Sequence, residues 1–247
     1  MIADIWTVVW KEYREMFRGP GTRFNTLMMF ISTGLIGVLM PVQQGAGFVT
    51  SPLTLLLCFW VASMMVPSIV ADSFAGERER HTLETLLAGR LSDRAILFGK
   101  QCAIVLYGWG LTIICLLVGL VSVNLVAGKG HLLLFPAWLA LSLVTLSLVA
   151  CWLFAGLGVL ISLRSPTVQK AQQILAMVTL LPIVPFIALV LLLGDQKFGA
   201  LLMRAASLMP SNMPAVAGIA LLVLLLIDLA VVWISLARFQ RAKLILD

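Results

Sequence analysis

Long apolar runs separated by short polar connections extend along the whole chain. Because about 20 apolar residues are needed to cross the roughly 30 Å hydrocarbon core of a bilayer, we interpret these runs as membrane spans. The third and fourth runs exceed the usual length, and we expect them to tilt or to project beyond the bilayer. The sequence therefore predicts an all-α integral membrane protein with a single transmembrane domain over residues 1–247. Its six predicted transmembrane helices are residues 24–40, 53–74, 96–126, 135–163, 171–193 and 215–237.

Residues 1–19 show a different pattern, in which apolar and charged positions each recur with helical spacing. This pattern predicts an N-terminal amphipathic helix that lies in the membrane interface; a helix packed on a soluble partner is the alternative. Gly19, Pro20 and Gly21 are placed to end it. No signal-peptide pattern is present, so we expect this helix to be retained. The apolar face comprises Ile2, Ile5, Trp6, Val9, Tyr13, Met16 and Phe17, and the charged face comprises Asp4, Lys11, Glu12, Arg14, Glu15 and Arg18.

Composition supports the membrane assignment and explains the basic charge. Of the 247 residues, 61% are hydrophobic and 11% are charged, whereas soluble domains carry about 25% charged residues. The net charge is +6, and fourteen of the seventeen Lys and Arg residues fall on one side if both termini are cytoplasmic. This follows the positive-inside rule. We therefore predict a multi-pass protein of the cell membrane that contacts lipids and binds no nucleic acid.

Other features of the spans are less specific. The four cysteines lie in apolar runs without metal-ligand spacing, so we expect them to be packing residues and predict no metal site. Residues 195–214 end in two prolines, and we predict a short re-entrant or interfacial helix on the outer face.

The connection between spans two and three, residues 75–92, is the most informative segment. Mixed charges are followed by a narrow apolar stripe of Leu83, Leu86 and Leu87, which predicts a short helix outside the membrane. Ser92 or Asp93 is placed to cap the next helix. A leucine stripe of this kind needs a surface to bury against, which favours a cytoplasmic protein partner. A solvated loop is the alternative.

The run from Phe74 to Arg80, followed by Thr82-Leu83-Glu84-Thr85-Leu86-Leu87 and then Gly99-Lys100, resembles the signature of the type-two ABC exporter permeases. The resemblance extends to the opening Trp10-Lys11-Glu12 and to most of the chain. It implies that this six-span unit pairs with a second one around a central translocation pathway. The second unit would be another copy of this chain or a related permease. The resemblance also implies that a cytoplasmic coupling helix contacts an ATP-binding cassette subunit. His81 stands where many relatives have a small residue, which puts the local turn in doubt. Carried over by position, the coupling residues would be Glu77, Arg78, Glu79, Arg80, Thr82, Leu83, Glu84 and Leu87.

The chain contains no Gly-x-x-x-x-Gly-Lys-Ser/Thr phosphate-binding loop, because Gly99-Lys100 is followed by Gln101 and lacks the upstream glycine. We therefore expect no enzymatic activity and no cofactor in this chain. ATP and Mg²⁺ would be bound by the partner subunit.

Three ionisable residues of the spans are further candidates. Asp228 lies near the middle of the last span, where a carboxylate is costly, so it is either functional or accepts hydrogen bonds from a neighbouring helix. Asp72 and Lys100 lie near cytoplasmic ends, where they could reach the interface or pair with each other. Three functions stay open: an ATP-driven exporter permease, a self-contained secondary transporter that uses Asp228 as a relay, and a non-transporting anchor or assembly subunit. The scarcity of polar side chains in the spans favours a lipid-like or amphipathic cargo.

Overall fold

The computed structural model describes residues 2–18, 22–51, 53–79, 91–128, 130–181 and 213–238, and the regular structure of these residues is helical throughout. Five of the helices contain segments that are long and apolar enough to cross a membrane. The chain is therefore a multi-pass membrane protein. The helices are α1 (Ile2–Arg18), α2 (Thr22–Gln44), α3 (Gly47–Thr50), α4 (Leu53–Glu79), α5 (Asp93–Ala127), α6 (Ala137–Ser162), α7 (Val168–Leu180) and α8 (Met213–Arg238).

The spanning segments lie in α2, α4, α5, α6 and α8. The fifth predicted span, residues 171–193, begins within α7, but its second half lies outside the described residues. The same holds for the predicted outer segment, except for its last two residues, which open α8. At about 1.5 Å per residue, the 35 residues of α5 extend over roughly 50 Å, so α5 is longer than the hydrocarbon core is thick.

The centre of the bundle is built from α4, α5 and α6, which pack closely because glycines face valines. A Cβ atom on Gly108 of α5 would lie 2.6 Å from a methyl carbon of Val66 in α4. A Cβ atom on Gly158 of α6 would lie 2.7 Å from Val70, one turn further along α4. Small residues that let helix backbones approach are a common packing device in membranes. Around this centre, α8 packs on α6, α7 on α4, and α1 and α2 on α5.

The end of α4 differs from the prediction. The apolar run was expected to finish at residue 74, but the helix continues to Glu79 and includes the first five residues of the predicted coupling segment. Two of these residues, Ala75 and Gly76, are buried, and the Ala75 amide lies 3.0 Å from the Ser162 hydroxyl oxygen at the end of α6. Tertiary packing therefore extends the helix beyond the apolar run.

The orientation of α1 also differs from the prediction, which placed Glu12 on the charged face, away from the apolar face. Val8, Val9 and Glu12 are buried against the bundle, whereas Trp6 and Trp10 are exposed. The prediction was wrong for Glu12 because α5 supplies a lysine that a buried carboxylate can pair with. The exposed aromatic side chains remain available to the membrane interface, where Trp is common.

Candidate functional site

Three helices converge where α4 ends and α5 begins, and Gly99 of α5 determines how closely α1 approaches. A Cβ atom at this position would lie 2.6 Å from the Val8 Cβ atom and 3.1 Å from the Ile5 carbonyl oxygen, both in α1. A larger side chain would therefore push α1 away. With glycine in place, Glu12, one turn beyond Val8, reaches the next residue of α5, Lys100.

Lys100 is the centre of this site and is only 1% exposed. Its Nζ atom lies 2.9 Å from Glu12 Oε1 in α1 and 2.9 Å from Glu77 Oε1 in α4. It also donates to the Ser73 carbonyl oxygen at 3.0 Å and lies 5.3 Å from the centre of the Phe74 ring. An ammonium group has three donors, and here they are shared among α1 and α4. One side chain of α5 thus holds the other two helices.

Glu12 receives further donors beside Lys100. The Ser73 hydroxyl donates to Oε2 at 3.0 Å, and Lys11 Nζ lies 3.4 Å from Oε1. Burial by itself would raise the pKa of Glu12, but the charge and hydrogen bond of Lys100, helped by Lys11 and Ser73, hold that pKa below its ordinary value. Glu12 is therefore ionised, and its pairing stabilises the docked position of α1.

Lys11 closes the network on its solvent side. Its Nζ atom lies 3.1 Å from Glu77 Oε1 and 3.5 Å from Glu15 Oε1. Partial burial would lower the pKa of Lys11, but Glu12 and Glu77 outweigh it and raise the pKa above its ordinary value. The carboxylates of Glu12, Glu15 and Glu77 lie close enough together to ligate a metal ion. Because Lys11 and Lys100 already form ion pairs with these carboxylates, we interpret the group as an ion-pair network. We call its central residues the charged junction (Lys11, Glu12, Ser73, Glu77 and Lys100).

The last turn of α4 is tied to α7 as well. Glu79 Oε2 accepts a hydrogen bond from the backbone N–H of Val168, the first residue of α7, at 3.2 Å. A carboxylate at the N-terminus of a helix is favoured by the helix dipole. The other end of the connection is also defined, because the Ser92 hydroxyl accepts from the Ala95 amide at 3.3 Å. Of the two predicted capping residues, Ser92 is therefore the one that caps α5. Residues 80–90 join two helix ends that are both held in place.

The predicted site residues divide into two groups. Glu77 lies in the charged junction, and Glu79 contacts α7. Arg78, the residue between them in the sequence, is partly buried. Lys100 pairs with Glu12 and Glu77, and Asp72 lies exposed on α4. The remaining coupling candidates lie outside the described residues; they are Arg80, Thr82, Leu83, Glu84 and Leu87.

Sequence reasoning missed Glu12, Lys11 and Ser73 as site residues. Lys11 and Glu12 gave one signal, which was their position beside Trp10 in the family resemblance. The helical pattern gave none, because it placed both on the charged face. Ser73 gave no signal, because a serine near the end of a span is ordinary.

A second polar site lies where α5, α6 and α8 meet. A Cβ atom on Gly156 of α6 would lie 2.6 Å from Val231 Cγ1 in α8 and 3.9 Å from Gln101 Nε2 in α5. Gln101 is 1% exposed, and neither polar atom of its side chain has a hydrogen-bond partner among the described residues. Asp228, one turn before Val231, is 5% exposed, and its Oδ1 atom likewise lacks a partner in this part of the chain. Both predicted roles of Asp228, a functional one and a structural one in which a neighbouring helix donates to it, therefore stay predictions. Gln101 gave no sequence signal.

Comparison with protein families gives one match that covers most of the chain. The sequence model of the ABC-2 family transporter proteins matches residues 41–239, from the last turn of α2 to the residue after α8. The matched region includes Glu77, Lys100 and Asp228, whereas α1 precedes it. No curated protein matches the chain.

Proposed function

Because the chain belongs to the ABC-2 family of transporter proteins, we propose that it is the membrane-spanning permease subunit of an ATP-driven exporter. A separate ATP-binding cassette subunit supplies the ATPase, since this sequence has no phosphate-binding loop. Two copies, or one copy and a related permease, form the translocation pathway. The asymmetry of basic residues supports a cytoplasmic position for both termini and for the charged junction.

The observation that carries the coupling proposal is the charged junction beside residues 80–90. These residues connect Glu79 to Leu91, and the last turn of α4 contacts α1, α5, α6 and α7 through polar side chains. The Lys100 ammonium group lies 2.9 Å from both Glu12 and Glu77, so it links α5 to α1 and α4. A partner that pushes on residues 80–90 would therefore move these helix ends together rather than one at a time.

The proposed sequence of events uses only this chain's own residues. Leu83 and Leu87 would bury against the ATPase, and its closure would displace the segment that carries them. The displacement would reach α1 through Lys11 and Lys100, and α7 through Glu79. Reorientation of the helices would then open the pathway on the other side. The cargo would be lipid-like or amphipathic, because the spans present few polar side chains to replace its water.

Affinity purification of the tagged chain from its native membrane tests the proposal. We expect the wild-type chain to retain an ATP-binding cassette subunit and the double variant Leu83→Asp, Leu87→Asp to lose it, because two carboxylates cannot be buried in an apolar contact. The matched control is Leu132→Asp, Leu134→Asp, which makes the same change at two exposed leucines between α5 and α6.

The control variant should retain the ATPase at the wild-type ratio. The proposal fails if the wild-type chain carries no ATP-binding subunit, or if the Leu83, Leu87 variant retains it and still supports ATP-dependent transport. Equal loss in both variants would show a general defect in membrane assembly and would also contradict the assignment to residues 80–90.

A further inference from the structure

A cleft of about 380 Å³ opens between the first turn of α5 and the last turns of α8. Arg94 of α5 forms one wall, and Trp233, Leu236 and Ala237 of α8 form the other. Leu236 packs partly against the central core, so the floor of the cleft is apolar. The two ends of the helices therefore form a site that is cationic at its rim and apolar below it.

None of the described residues occupies the polar groups of this cleft. Arg94 is exposed, and its guanidinium group forms no ion pair or hydrogen bond with the described residues. The Trp233 side chain is 74% exposed. Arginine binds phosphate through two parallel N–H donors, and tryptophan is enriched at the depth of lipid headgroups. Asp93 precedes Arg94 in the chain but does not line the cleft.

An apolar stripe leads from the cleft along α8. Leu222, Leu226 and Leu229 are 60–66% exposed and, with Trp233, recur at intervals of four, three and four residues, which places them on one face of the helix. From residue 222 to residue 233 the helix rises by about 16 Å. This length is close to one leaflet, since the whole hydrocarbon core measures roughly 30 Å.

We propose that the cleft and the stripe bind one anionic phospholipid. Its phosphate contacts Arg94 and the Trp233 indole N–H, and an acyl chain lies along Leu229, Leu226 and Leu222. Charge complementarity selects an anionic lipid, because the described part of the chain provides no carboxylate partner for Arg94. The proposal rests on the membrane location of the chain and not on transport, so the two can fail separately.

Native mass spectrometry of the full chain in detergent tests this site with phosphatidylglycerol and phosphatidylcholine of identical acyl chains. We expect the wild-type chain to prefer phosphatidylglycerol. Arg94→Gln should weaken its binding by about tenfold, which corresponds to the loss of one charge-assisted hydrogen bond. Trp233→Phe should weaken it less, by roughly two- to fivefold, because an aromatic ring remains and only one uncharged N–H donor is lost. The matched control Arg164→Gln removes another exposed arginine at the same end of the bundle and should leave the affinity unchanged.

Three outcomes would overturn the proposal. Equal affinity of the wild-type chain for both lipids would show that no anionic headgroup is selected. An equal effect of Arg94→Gln and Arg164→Gln would show general electrostatic attraction without a site. Disulfide crosslinking of two Trp233→Cys chains in native membranes would show that a second copy, and not a lipid, covers this face of α8.

Discussion

Lys100 and Gln101 are consecutive residues of α5, and both are buried, yet their side chains lie in different polar environments. Lys100 points toward α1 and α4, where two carboxylates and Ser73 surround its ammonium group. Gln101 lies beside α6 and α8, where neither its own amide nor Asp228 Oδ1 finds a partner among the described residues. Within the described structure, the Lys100 ammonium group thus has its hydrogen-bond partners, whereas the Gln101 amide has none.

This difference in pairing determines how the charged junction and the region around Gln101 and Asp228 contribute to the packing of the helices. A buried charge is costly to desolvate, and only well-placed partners offset that cost. In the charged junction the cost is offset, and the result is a defined position of α1 on α5. At Asp228 Oδ1 none of the described residues offsets that cost, and native structures leave few buried polar groups unpaired. The charged junction is thus a fixed connection, whereas no side chain in the described part of the protein ties Gln101 or Asp228 Oδ1 to a neighbouring helix.

The largest effect that this comparison predicts is that of Lys100→Met. Methionine has a similar length but leaves Glu12 and Glu77 with only Lys11, on the solvent side of the network, as a counter-charge. Breaking a buried ion pair from one side typically costs about 3–5 kcal/mol. We expect a loss of this size in the free energy of unfolding, measured by denaturant titration in mixed micelles. We also expect faster proteolysis of α1, which loses its main polar contact.

Lys170→Met provides the control for that measurement, because Lys170 is exposed near the start of α7. Its effect should stay within about 0.5 kcal/mol, as is usual for surface substitutions. If the free energy of unfolding falls by the same small amount in both variants, Lys100 contributes no more to stability than an exposed lysine does.

The sequence predicted the local parts of this arrangement. The Ser92 cap follows from a hydroxyl residue directly before a long helix, and Lys100 was a candidate because a charge lay within an apolar run. The partner of Lys100 could not be predicted in the same way. Glu12 is 88 residues away in the sequence, and only the packing of α1 on Gly99 brings it near.

The remaining differences have the same origin. Hydropathy placed the end of the second span at residue 74, but contacts with other helices extend α4 to Glu79. The spacing of apolar residues in α1 could not show which of its faces meets α5, since Trp6, Val8 and Val9 are all apolar. For Gln101 and Asp228, composition shows that a polar group is present but not whether a neighbour pairs with it.

An intermediate effect is expected for Gly99→Ala. The added methyl group would lie 2.6 Å from the Val8 Cβ atom, so α1 would have to shift away from α5. Overpacking of this kind costs about 1–3 kcal/mol, which outweighs the roughly 1 kcal/mol by which alanine favours a helix. The free energy of unfolding should fall, and exposure of Lys100 should increase its labelling by an amine reagent.

Gly110→Ala is the matched control, on the same helix. Nothing lies within 4 Å of a Cβ atom at Gly110, so the substitution should be neutral or stabilising. Equal effects at the two glycines would mean that α1 is not held closely against Gly99 in the membrane.

The smallest effect is expected for Asp228→Asn, and the informative comparison is with Glu12→Gln, which makes the same change from carboxylate to amide. Glu12 accepts hydrogen bonds from Lys100 and Ser73, so its neutralisation should lower the free energy of unfolding by about 1–3 kcal/mol. Asp228 has no such donors at Oδ1 in the described structure, so Asp228→Asn should change the stability by less than about 0.5 kcal/mol or raise it. If Asp228→Asn destabilises the chain as strongly as Glu12→Gln, the Asp228 carboxylate has a structural partner. The charged junction and the Asp228 region would then not differ in how their polar groups are paired.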